Sequence, residues 1–72
     1  MNIIDARGLS CPEPVIMLRH AMEGNEQEYI LKVDNHASKE NTIRYGEHQG
    51  YKVTVTEENG EYTLVFRKWD IL

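Results

Sequence analysis

Two alternating runs, Tyr51-Lys52-Val53-Thr54-Val55-Thr56 and Tyr62-Thr63-Leu64-Val65-Phe66-Arg67, flank Glu57-Glu58-Asn59-Gly60-Glu61 and constrain this chain more than any other feature. Alternation at period two places apolar side chains on one face of a strand. Asn-Gly supplies the positive φ angles of a primed turn, so the segment reads as a β-hairpin. The outward set, Lys52, Thr54, Thr56, Thr63 and Arg67, is polar. One sheet face is therefore wet, and whatever helices the chain forms must lie on the other.

The preceding residues supply those helices and two further strands. Asn2 to Ala6 reads as a short strand closed by Arg7-Gly8. From Pro12 to Glu23, Val15, Leu18 and Met22, with Pro14 and Ala21 beside them, recur at the spacing of one buried helical face, and Gly24-Asn25 ends the pattern. Glu28 to Asp34 alternates as a half-buried strand with Tyr29, Leu31 and Val33 inward, Ile30 being the exception. Ser38 is the expected N-cap of a second helix running to about Gln49, with Gly50 as its stop. Its apolar stripe is weak, and Gly46 lowers helix propensity by about 1 kcal/mol relative to alanine. The expected architecture is a single α+β domain over 1–72: a two-layer α/β sandwich in the order βαβαββ, with two helices on one face of the sheet.

Composition narrows the function classes. Twelve acidic against eight basic side chains give a net charge of -4, which opposes nonspecific contact with nucleic acid or an anionic membrane. One cysteine forms no intrachain disulfide, and there is no apolar stretch of membrane-spanning length, so a reducing, cytoplasmic setting fits. Three histidines and one cysteine do not stand at zinc-ligand spacing, and no glycine-rich phosphate loop is visible. The reading contains no metal and no cofactor.

The chemistry therefore centres on Cys11, in Ser10-Cys11-Pro12-Glu13-Pro14 at the start of the first helix. A sulfur at a helix start faces orphan N–H groups and the positive end of the macrodipole. With Cys11 as N-cap, Pro12 takes the first helical position, where its missing N–H costs nothing and its φ is already helical. Pro14 removes a second donor, Glu13 and Val15 keep theirs, and Arg7 assists an anionic sulfur if its side chain folds back toward the loop. A free cysteine is commonly a small buried hydrophobe. Here the prolines and charges around it argue for the surface.

The run Asp5-x-Arg7-Gly8-x-x-Cys11-Pro12-x-Pro14 resembles the signature of the TusA/SirA/YedF family of small bacterial sulfur-carrier proteins, over nearly the whole chain. The resemblance implies a mixed four-stranded sheet in the order 1-2-4-3. It implies a Cys11 that takes a persulfide sulfur from a donor such as a cysteine desulfurase and passes it to a downstream acceptor. Pro12 and Pro14 match the family's capping prolines, and Asp5, Arg7 and Gly8 the motif that shapes the loop. The second loop, Val33 to Asn41, is closer to the YedF-like branch linked with selenium metabolism. Such a carrier relays sulfur with little turnover of its own.

Parallel strands joined by helices place Asp34, Asn35 and His36 at the same sheet edge as Cys11, as a second wall of the site. A loop histidine beside Asn and Asp is more often a solvated turn residue than a polarising group. His20 and His48 are expected to lie away from the sulfur. The alternatives are a protein-interaction module in which Cys11 is dispensable, and a thiol redox module, which lacks a resolving cysteine.

Overall fold

The computed structural model describes residues 3–69. Six elements follow one another: β1 (Ile3–Asp5), α1 (Glu13–Met22), β2 (Glu28–Val33), α2 (His36–His48), β3 (Tyr51–Glu58) and β4 (Glu61–Lys68). The expected start of β1 at Asn2 and the tail Asp70-Ile71-Leu72 lie outside the described residues. The strands form one sheet in the order β1-β2-β4-β3. β1 and β2 are parallel, while β4 runs antiparallel to both β2 and β3. This is the expected two-layer sandwich with its mixed sheet.

Asn59 and Gly60 both take positive φ, 53° and 79°, and set the register that pairs Tyr51 with Lys68 and Glu58 with Glu61. That register puts Tyr51, Leu64 and Phe66 into the core beside Tyr29, Leu31 and Val33 of β2. Under them lie Leu18 and Met22 of α1. The outer sheet face carries the polar set read from the alternation. It also carries an apolar row, in which Ile3 pairs with Ile30 and Ile30 with Val65.

Both helix starts differ from expectation. Pro12, not Cys11, is the N-cap of α1, so Glu13 is the first helical residue and Pro14 the second. The Cys11–Pro12 peptide is cis. Pro14 is fully buried and Val15 half-buried, so the inward stripe is Pro14, Leu18 and Met22 rather than Val15, Leu18 and Met22. At the other end, Asn25 rather than Gly24 takes the left-handed conformation after the helix.

α2 begins three residues earlier than the Ser38 cap implies. Asn35 is its N-cap, and its side-chain oxygen accepts the Ser38 amide at 2.8 Å. Asn is as good a cap as Ser, and the geometry favours whichever reaches the N3 amide. Ser38 instead turns inward with Thr42 and Gly46, and these three make the buried face of the helix. Their spacing of four residues is a helical stripe of small side chains, which is why an apolar count sees so little. A Cβ on Gly46 would stand 2.4 Å from Cδ2 and Cε2 of Phe66. The helix accepts the propensity cost because the Phe66 ring occupies that space.

Candidate functional site

Both parallel strands end at the same sheet edge, and the loops that leave them are bonded together. The Ala6 amide donates to Lys32 O at 2.8 Å, carrying the β1–β2 ladder one residue past β1. Gly8, at φ +81°, then turns the chain, and its amide donates to Asp34 Oδ2 at 2.8 Å. Asn35 Nδ2 donates to Leu9 O at 3.1 Å. Asp34 and Asn35 thus grip the backbone of the cysteine loop at Gly8 and Leu9, while the groove beside Cys11 is lined by later residues of α2 and not by the expected second wall Asp34, Asn35 and His36. His36 points to solvent with Nε2 3.8 Å from Glu40 Oε2, the solvated reading of that residue.

Arg7 does not meet the condition set for it, that its side chain fold back toward the sulfur. Its Nε and Nη2 donate to Asp5 Oδ1 and Oδ2 at 2.9 and 2.8 Å, and Nη1 donates to Glu61 Oε1 at 3.2 Å. The guanidinium, rather than turning to the sulfur, clamps the end of β1 to the hairpin tip. That pairing, with the Arg7 amide also bonded to the carboxylate, holds the Asp5 carboxyl down at about 2. It raises the Arg7 guanidinium further above its already high value.

Cys11 is exposed, as the proline-flanked loop implied. The helix start offers it fewer donors than expected. Pro12 and Pro14 have no N–H, and the Glu13 amide, expected to stay free, donates to Ser10 O at 2.9 Å. Glu13 itself is exposed in the first turn. The polar contact to the sulfur comes from the other helix: Asn41 Nδ2 donates to Cys11 Sγ at 3.3 Å, across 30 residues of sequence.

Cys11, Pro12 and Val15 form one side of an open groove of about 440 Å³, and Asn41, Arg44, Tyr45 and His48 of α2 form the other. His48, which was not expected to reach the sulfur, lines the same groove. Asn41, Arg44 and Tyr45 were not read from the sequence as site residues. Their spacing with His48, at i, i+3, i+4 and i+7, is one helical face. Once Ser38, Thr42 and Gly46 are known to face inward, that neighbouring face is the one turned toward α1. Among the described residues no group of His, Cys, Asp and Glu side chains is arranged to hold a metal ion, and no helix is long and apolar enough to cross a membrane.

An exposed thiol beside an open, shallow groove can meet a thiol or persulfide on another molecule without rearrangement of the fold. Comparison with known proteins bears on that chemistry. Residues 2–68 match the family model described as Sulfurtransferase TusA. The chain is 35% identical over 71 residues to the "Putative sulfur carrier protein MJ0990" of Methanocaldococcus jannaschii, covering 94% of this chain and 95% of that protein. It resembles the crystal structure of a SirA-like protein from Desulfitobacterium hafniense with a TM-score of 0.79 and 31% identity, covering 93% of this chain and 96% of the other. Family model, relative and solved structure each cover nearly the whole chain, and the chain belongs to the TusA family of sulfur carriers.

Proposed function

We propose that the protein carries sulfur as a persulfide on Cys11, taking it from a sulfur-donor protein such as a cysteine desulfurase and passing it to a downstream acceptor. The observation that carries this reading is the exposed Cys11 at the mouth of the groove between α1 and α2, in a chain of this family. Arg7, Gly8, Pro12, Glu13 and Pro14 shape the loop and helix start that present the sulfur, and Asp34 and Asn35 brace them. The net charge of -4 supports protein partners over direct contact with nucleic acid or membrane, and the lone cysteine fits the cytoplasm. The second loop, Val33 to Asn41, supports a YedF-like assignment, in which selenium is the alternative cargo.

The test is the mass of the protein after incubation with a cysteine desulfurase and cysteine. A one-sulfur increment on the wild type that is lost in Cys11→Ser supports the carrier. Radiolabelled sulfur transferred equally well to Cys11→Ser would end it. A module that only docks a partner predicts unchanged partner binding by Cys11→Ser and no increment on the wild type.

A further inference from the structure

We propose that Asn41 is a positioning residue for sulfur transfer, holding an amide N–H against Cys11 Sγ, and that Arg44 fixes Asn41 in the orientation this requires. The inference rests on the persulfide reading for its chemistry, and on four geometric observations for its residues. Asn41 Nδ2 donates to the sulfur at 3.3 Å. Arg44 Nη1 donates to Asn41 Oδ1 at 3.3 Å. A guanidinium has donors only, so it selects the amide oxygen and turns the amino group toward the sulfur. The groove brings all three side chains to one surface.

The fourth observation is what α1 withholds. A helix start ordinarily offers several backbone donors to an anion. Here two of the first three residues of the capped turn are prolines, and the third, Glu13, gives its N–H to Ser10 O. The donor that meets the sulfur comes instead from Asn41 on α2. The positive Arg44 on its carbonyl oxygen polarises the amide and strengthens the N–H as a donor.

The transfer balances without an added oxidant or reductant. In loading, the Cys11 thiolate attacks the outer sulfur of a donor R–S–SH. The new S–S bond forms on Cys11, the donor S–S bond breaks, and the donor leaves as a thiolate, with the proton staying on the transferred sulfur. In delivery an acceptor thiolate attacks that outer sulfur, and Cys11 leaves as a thiolate. The inner sulfur is anionic before loading and after delivery, and neutral in between. A hydrogen bond to it is stronger in the anionic states. Asn41 therefore favours delivery, where Cys11 is the leaving group, and a better-stabilised leaving thiolate departs faster.

The experiment loads the wild type, Asn41→Leu, Asn41→Asp and Arg44→Leu with glutathione persulfide and follows discharge to dithiothreitol by mass spectrometry. In parallel, the pH profile of Cys11 alkylation by iodoacetamide is measured, with thermal midpoints to confirm folding. Loss of the donor moves the alkylation profile of Asn41→Leu away from that of the wild type and slows its discharge roughly three- to tenfold. Asn41→Asp, which sets a like charge against the sulfur, moves the profile further, and Arg44→Leu moves it less than Asn41→Leu. Folded Asn41→Leu and Asn41→Asp proteins with wild-type profiles and discharge rates would overturn the proposal. Should Asn41→Leu not fold, the Asn41→Asp and Arg44→Leu profiles decide in the same way. A wild type that accepts no sulfur would count against the persulfide reading alone, since the alkylation profile still decides whether Asn41 acts on the sulfur.

Discussion

Asp34 Oδ2 accepts the Gly8 amide at 2.8 Å across 26 residues of sequence, and this bond ties the loop that carries Cys11 to the loop that starts α2. Removing it in Asp34→Ala leaves the Gly8 amide to water and is expected to cost about 1 kcal/mol of stability. The amide hydrogen of Gly8 should exchange faster in the variant, while those of the β2–β4 ladder keep their rates relative to global unfolding. Equal exchange at Gly8 in both proteins would mean that the bond does not hold the loop in solution.

The Asp5–Arg7 pair makes a prediction about acid stability. The Asp5 carboxyl is lowered from 3.8 to about 2 by the Arg7 guanidinium and amide. A depressed carboxylate contributes stability that is fully present above its unfolded value and is lost as the pH falls through the folded one. Wild-type protein should therefore lose stability from about pH 4 down to about pH 2 through this group. Asp5→Asn removes the titration, so its thermal midpoint should fall less steeply over that window. The pair is exposed, so the difference should be small and should shrink in high salt. Superimposable profiles for the two proteins would remove the pair from the account of acid stability.

Gly46→Ala should destabilise the protein although alanine is the better helix former. The added Cβ falls 2.4 Å from two ring atoms of Phe66, which itself is fully buried. Overpacking of this kind costs about 1–3 kcal/mol, against a propensity gain of about 1 kcal/mol. Chemical denaturation checks the sign. A second substitution, Phe66→Leu, made on the Gly46→Ala background should cost less than Phe66→Leu alone, because the smaller side chain relieves the clash.

Ser38→Ala should have the opposite effect. Ser38 is buried, and among the described residues its hydroxyl has no hydrogen-bond partner. Replacing an unsatisfied buried hydroxyl with a methyl group inside a helix should raise stability by about 1 kcal/mol. The denaturation midpoint should rise with an unchanged slope. A fall would show that the hydroxyl is satisfied in solution, by water or by a backbone carbonyl.

The hairpin and the order of elements were legible because they rest on local patterns: Asn59-Gly60 needs no distant partner to favour its turn, and alternation sorts Leu64 from Arg67 unaided. The placement of Cys11 at an exposed helix start was legible for the same reason. α2 was harder, since its buried face is Ser38, Thr42 and Gly46, small residues that an apolar count passes over, and Gly46 reads as a flaw until the Phe66 ring above it is known. Asn41 and Arg44 escaped the sequence reading because nothing near them in the chain contains sulfur. Their connection to Cys11 exists only where α2 lies against α1. The engagement of Arg7 away from the sulfur has a similar origin: Glu61 reaches it from the hairpin tip, 54 residues away.

That separation of Asn41 from Cys11 along the chain has a practical meaning. An unfolded copy, or a fragment cut before α2, still contains the thiol but has lost the amide that faces it. Reactivity tuned by Asn41 is then a property that only an assembled molecule possesses, and a chain caught midway through synthesis would offer its partners a bare sulfhydryl.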